Sequence, residues 1–297
     1  NAVSSRRGCS GFTSDLHLSC LNRAHYRSKH PQCLIGERSR RKRGGQSMAG
    51  VQITLSGSNE VLFGLAIVAG LLAIAGPTKI LDFPGLLAAA ILGIIVGVLG
   101  HWTYLLLLLS FLVSGHFVTR FKFNQKMELG LAESYDGHRS WPNVLANGGV
   151  PGMLALFAFF LDDRTMLWPA LTAAIAVAAA DTFASEVGCI DKRVWMITTL
   201  RRTEAGVNGG FSLTGQVAAA LGSGIVIGIA ALLSFLESGT LGDRNLWLVL
   251  MGIGWIGCQI DSLLGALLEN RGWLDKNSVN LASITAGAVL ALVWVNR

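Results

Sequence analysis

The chain has 297 residues, of which 52% are hydrophobic and only 14% charged, with a formal charge of +6. A soluble domain carries roughly 25% charged residues, so this composition excludes an ordinary water-soluble globule. It fits helices packed in lipid, where Gly and Ala allow close backbone approach, and mean hydropathy is +0.51. The positive charge is local. Residues 1–47 hold ten of the 24 bases and two of the 18 acids, a net of +8, which leaves −2 on the remaining 250 residues. Nothing outside the tail points to nucleic acid.

In chain order, residues 1–47 lack an apolar core and a helical period. They read as a disordered basic tail and as a candidate for upstream sequence translated in error, since the first methionine is Met48. A basic arm for anionic lipid is the functional alternative. Residues 48–138 are expected to carry the N-terminal membrane helices and 139–297 the membrane domain with the functional motifs. A span needs about 20 apolar residues. Six clear candidates are Val61–Gly76, Phe83–Gly100, Trp102–Val118, Val217–Leu236, Leu246–Leu268 and Leu281–Val295. Two shorter ones, Val150–Leu161 and Met166–Ala180, complete an all-α, polytopic bundle of about eight helices. Their shortness predicts helices shielded by protein, or half-helices opening on a polar cavity.

The loops after the third, fifth and seventh helices are richest in Lys and Arg, including Arg120, Lys122, Lys126, Arg201, Arg202 and Lys276. The positive-inside rule makes that side cytoplasmic, with the cell membrane as the expected location. The five cysteines include no CxxC or Cys/His metal spacing, so neither a zinc site nor a disulfide framework is expected.

Four segments carry candidate chemistry. In Arg139-Ser-Trp-Pro-Asn-Val-Leu-Ala-Asn147-Gly148-Gly149 and again in Gly206-Val-Asn208-Gly209-Gly210, Asn-Gly-Gly precedes a membrane helix on the basic side. Glycine pairs form anion-binding nests, helix N-termini favour phosphate, and Arg201 and Arg202 stand upstream of the second to neutralise phosphate oxygens. The structural alternative is a pair of ordinary turns. In Ala180-Asp181-Thr-Phe-Ala-Ser185-Glu186, Asp181 and Ser185 share a helix face with Glu186 at its edge. In the fourth segment Asp261, Gly265 and Glu269 fall at i, i+4 and i+8. A carboxylate in an apolar helix costs at least about 2.5 kcal/mol at mid-membrane, so Asp181 and Asp261 are functional candidates, against the alternative of helix-end carboxylates that reach water. Carboxylates, nests and basic loops on one side are the parts of phosphoryl or nucleotidyl transfer, with Mg²⁺ held by one or two carboxylates plus substrate phosphates. GxxxxGK[ST] is absent, so this is no P-loop enzyme.

In order along the chain, RSWPNVLANGGVP, ADTFASEVG, GVNGGFSLTG and QIDSLLGALLENRGWLDKNSVNLASITAG resemble the motifs of an integral membrane family that includes plant phytyl-phosphate kinase and the vertebrate transmembrane protein 19. The match spans Arg139 to Gly287; the first three helices are similar only in hydrophobicity. The resemblance implies phosphoryl transfer from a nucleoside triphosphate, CTP, to an isoprenoid monophosphate among membrane lipid. The Asp-x-x-x-Ser segment is also similar to CTP-dependent dolichol and phytol kinases. On that basis Asp181 and Asp261 would hold Mg²⁺, Ser185 and Glu186 would orient ligands, and Asn147, Gly148, Gly149, Arg202, Asn208, Gly209 and Gly210 would cradle phosphates. Asn277 and Asn280 would complete the pocket. Where a Gly-Thr-x-Gly-Gly-type segment is expected, this chain has Gly206-Val-Asn-Gly-Gly. A lipid cytidylyltransferase and a secondary transporter with intramembrane carboxylates are the alternative readings, and for transport a central pocket is expected.

Overall fold

In a computed structural model of the protein, the structure describes residues 57–78, 81–132 and 140–297. The expected basic tail, Arg139 and His138 therefore lie outside the described residues.

Eight helices among the described residues are long and apolar enough to cross a membrane, as the hydrophobic runs predict. They are α1 (Gly57–Thr78), α2 (Phe83–Ile94, continued as a π-helix over Ile95–Gly100), α3 (Trp102–Arg120), α5 (Trp141–Leu161), α6 (Arg164–Gly188), α7 (Leu213–Ser238), α8 (Arg244–Leu267) and α9 (Lys276–Val295). A short helix, α4 (Phe123–Glu128), follows α3. The protein is an all-α polytopic bundle. A small antiparallel sheet, in the order β2-β1-β3, is built from Val194–Met196 (β1), Arg202–Thr203 (β2) and Gly210–Phe211 (β3) between α6 and α7.

The two helices that the sequence makes short are full length. α5 begins nine residues before Val150, at Trp141, with Pro142 in its first turn, where proline is tolerated. Asn147-Gly148-Gly149 was expected to be a turn and is helical. Glycines are common in membrane helices because they let neighbours approach, and a side chain on Gly148 would run into Leu92. Pro151 also lies inside the helix and removes the amide that would bond the Asn147 carbonyl. α6 runs on to Gly188, so Asp181, Ser185 and Glu186 ride on its last two turns.

α6 is the central helix. Residues 170–180 are all buried, and nine of those eleven are alanine or β-branched residues that are fully inaccessible. It packs against α3, α5, α7, α8 and α9. Small residues on the partners make this possible. A Cβ on Gly222 of α7 would stand 2.6 Å from the Ala179 carbonyl oxygen, and one on Gly287 of α9 would stand 2.5 Å from Val177 Cγ2.

Because spans alternate, the ends of α3, α6 and α8 fall at the same end of the bundle as the starts of α5, α7 and α9. The other end is closed by a polar cluster. There Arg164 donates to Glu60 at 2.8 Å, and His101 Nε2 lies 3.7 Å from Glu60 and 3.6 Å from Glu237. His101 Nδ1 is 2.7 Å from the Thr103 hydroxyl, and the Tyr104 hydroxyl donates to the Arg164 carbonyl.

Gly222→Leu is expected to lower stability by about 1–3 kcal/mol, because the carbonyl it meets belongs to the α6 backbone and cannot repack. Gly228→Ala, with open space around its Cβ position, should be near neutral. Unfolding of the two variants in detergent micelles checks the contrast.

Candidate functional site

Four helix ends enclose a polar cavity of about 200 Å³. The end of α6 contributes Asp181, Ser185, Glu186 and Cys189; the start of α7, Ser212, Gly215 and Gln216; α8 and its following turn, Asp261, Ser262, Gly265 and Glu269; and α9, Lys276 and Asn280. The loop 206–211 covers it. The faces read from helical spacing are thus the faces that line the cavity: Asp181 with Ser185, and Asp261 with Gly265 and Glu269.

Asp181 and Asp261 meet. Asp261 makes a side-chain hydrogen bond to Asp181, and its Oδ2 accepts from the Ser283 hydroxyl of α9 at 2.8 Å. Behind them, Gln216 Nε2 donates to Gln259 Oε1 at 3.2 Å and Trp255 Nε1 donates to Gln216 Oε1 at 2.9 Å, which fixes the amide that faces the cavity.

Glu186 is held differently. One carboxylate oxygen is ion-paired with Lys126 of α4, and Lys126 also donates to the Thr119 carbonyl at 2.7 Å. Lys126 is fully buried and Glu186 is 5% exposed. The second oxygen, Oε1, is buried without a hydrogen-bond partner on a residue that lines the cavity. A buried, unpartnered carboxylate oxygen is costly, and it is positioned to accept from a bound donor. Lys126 carried no sequence signal beyond loop charge, because nothing in a six-residue amphipathic segment marks a lysine that folds inward.

The loop is shaped by glycine. Gly209 has φ +81°, a conformation that a side chain disfavours, and a Cβ there would stand 2.9 Å from the Ser262 carbonyl oxygen of α8. The Gly210 amide donates to the Val207 carbonyl at 2.9 Å and the Gly209 carbonyl accepts from Ile197 at 2.9 Å. Asn270 Nδ2 donates to the Asn208 carbonyl at 3.0 Å. Asn208, Gly209 and Gly210 all line the cavity, while the Gly210 amide is taken up by its own turn. Asn280, 6% exposed, lines it from α9.

Six expected site residues lie outside this lining, Arg201 and Asn277 among them. Asn147 and Gly148 line a second, apolar cavity between α2, α3 and α5, and Gly149 lies beside Leu281. Arg202 is exposed on β2 with its guanidinium 5.4 Å above the Trp195 ring. The cation in the cavity lining is instead Lys276, which the spacing of the loops had placed only in a basic turn.

Outside the spans, Asp191 caps the loop. The Arg193 amide and the Thr214 hydroxyl hold its carboxyl below the usual carboxylate range. Asp275 caps α9 through Ser278, whose hydroxyl and amide likewise lower it. Burial pushes the Cys189 thiol up, which makes it a poor nucleophile.

Lys126→Met alone should cost about 3–5 kcal/mol, because Glu186 is left buried and unpaired. The double variant Lys126→Met with Glu186→Met should recover most of that loss. A double-mutant cycle on unfolding in micelles measures the coupling.

Comparison with known proteins agrees with the membrane architecture. A 217-residue match of 33% identity links the chain to an uncharacterized membrane protein, MJ0933, of Methanocaldococcus jannaschii, and covers 73% of this chain and 86% of that one. Another uncharacterized membrane protein, sll0875 of Synechocystis, is 29% identical over 79% of this chain and 87% of its own length. Protein VTE6, chloroplastic, of Arabidopsis thaliana is 25% identical over 72% of this chain and 65% of that protein. No solved structure matches. The model of the family described as integral membrane protein DUF92 matches residues 66–288, three quarters of the sequence and all four motifs after Arg139, and the chain belongs to that family.

Proposed function

We propose that the protein is a membrane-embedded prenyl-phosphate kinase, which transfers a phosphoryl group from a nucleoside triphosphate to an isoprenoid monophosphate. The observation that carries this reading is the Asp181–Asp261 contact inside a polar cavity at one end of the bundle. Paired carboxylates backed by the Ser283 hydroxyl are an oxygen-only donor set, which fits Mg²⁺ held through one or two carboxylates with substrate phosphates and water as the other ligands. Bound there, Mg²⁺ would supply charge neutralisation on the transferred group. Lys276, at the start of α9, would balance further phosphate charge, together with the positive end of that helix. Glu186 Oε1, fixed by Lys126, would accept from a hydroxyl or water of the bound substrates.

In the reaction, an oxygen of the acceptor monophosphate attacks the γ-phosphorus. The bond from that phosphorus to the bridging oxygen breaks, which leaves a prenyl diphosphate and a nucleoside diphosphate. The acceptor oxygen is already anionic and needs no strong general base. The exposed side chains of Leu213, Val217 and Leu221 on α7 would give the prenyl chain an apolar path beside Ser212, Gly215 and Gln216. CTP as donor follows from the resemblance to CTP-dependent dolichol and phytol kinases, and the cytoplasmic orientation of the site from the basic loops. The position of the cavity at one end of the bundle, away from a midplane site, favours an enzyme over a secondary transporter.

The protein in detergent or nanodiscs, given geranylgeranyl or phytyl monophosphate, Mg²⁺ and each nucleoside triphosphate in turn, is expected to form prenyl diphosphate and nucleoside diphosphate. Asp181→Asn or Asp261→Asn should lower kcat by about a hundredfold or more, and Lys276→Ala should mainly raise the KM for a phosphate substrate. Pyrophosphate release with a CDP-linked lipid would move the assignment to cytidylyl transfer. Folded protein without turnover on any pair would end the kinase reading.

A further inference from the structure

The second cavity, between α2, α3 and α5, is a different kind of place. Its walls are Leu81, Leu92, Leu105, Leu108 and their apolar neighbours, and among the described residues no ionisable side chain lines it. Two amides break that lining, Asn143 and Asn147. They stand one turn apart on α5 and so share a face. Asn147 is 5% exposed, and its Nδ2 donates to the Asn143 carbonyl at 2.9 Å. That bond settles which end of the amide is which, and leaves Oδ1 as the atom without a partner. The Oδ1 atoms of both Asn143 and Asn147 are buried and accept no hydrogen bond. Buried amide oxygens are normally satisfied, and leaving one unmade costs about 1–3 kcal/mol.

We infer that this cavity binds the hydroxyl end of a neutral long-chain alcohol, its O–H donated to one of the Asn143 and Asn147 amide oxygens and its hydrocarbon chain laid against the leucines of α2 and α3. The chemistry selects the ligand. Two acceptors call for a donor, which a phosphate monoanion or dianion offers poorly. Among the described residues the lining has no cation to offset an anion. The leucine walls favour hydrocarbon over a chain of waters, each of which needs 2–4 polar partners. α5 starts at the same end of the bundle as the Asp181–Asp261 cavity, so the hydroxyl would sit near headgroup depth, where an amphiphilic alcohol resides. This site stands independently of the kinase reading, since it shares no residue with the cavity that holds Asp181 and Asp261, which Asn147 does not line.

A photoreactive C16–C20 alcohol with a diazirine near its hydroxyl tests the inference on the full chain in nanodiscs. Labelling is expected within 81–112 and 141–161, with competition by the unlabelled alcohol. The methyl ether of the same chain, which cannot donate, should compete about fivefold to tenfold less well, and the monophosphate of the same chain should not compete at this site. Asn147→Leu, close in volume and without the acceptor, should reduce labelling by a similar factor with the unfolding temperature retained. The ether arm uses the wild-type protein, so it decides the question even if that variant does not fold. Equal competition by the ether, or labelling spread evenly over lipid-facing residues, would show that hydrocarbon contact alone is at work and overturn the proposal. Equal competition by the monophosphate would overturn it in favour of a single substrate path shared with the first cavity.

Discussion

Helices in a bilayer gain nothing from hiding apolar surface, because lipid is as apolar as leucine; what draws them together is close contact of small side chains. In this protein that constraint centres on α6. Its alanine-rich middle is inaccessible, and glycines on α7, α8 and α9 bring three neighbours nearly to backbone contact. The approach fixes the distance between α6 and α8, and with it the meeting of Asp181 and Asp261 at the end where both helices reach polar surroundings. A looser bundle would admit lipid between the two carboxylates. The tight one leaves a small polar cavity lined by both carboxylates.

The same packing explains which parts of the site can be read in advance. Spacing along a helix is a local property, so Asp181 with Ser185, and Asp261 with Gly265 and Glu269, reach the cavity as their periodicity requires. Asn208, Gly209 and Gly210 are legible for the same reason, since a positive φ at Gly209 is a local need of the turn. The misreadings come from tertiary contacts. Asn147-Gly148-Gly149 has the composition of a turn, but its glycine serves the approach of α5 to Leu92. Arg202 has the charge for phosphate, but the strand pairing of β1 with β2 sets it over Trp195. Lys126 looks like any loop lysine until Glu186, sixty residues later, is folded against it.

The two ends of the bundle differ in how they handle charge. At one end Arg164 pairs with Glu60, and His101 stands within 3.7 Å of Glu60 and 3.6 Å of Glu237. At the other, pairing is incomplete. Glu186 retains an oxygen without a partner, and two aspartates face each other. Incomplete satisfaction of buried polar groups is where a folded protein gives up stability for the capacity to bind. That contrast points to the motif end as the working end.

The Lys126–Glu186 pair also imposes an order on synthesis. Lys126 leaves the ribosome before α5 and α6 exist, and a lysine cannot be stripped of water without its counter-ion except at a cost of several kcal/mol. α4 must therefore wait at the hydrated interface while two more spans enter the bilayer. Only when the last turn of α6 delivers Glu186 can the lysine turn inward. The cavity wall at Glu186 is thus completed by the sixth-made helix acting on the fourth, and any delay in inserting α6 leaves a charged, unfinished surface at the membrane boundary.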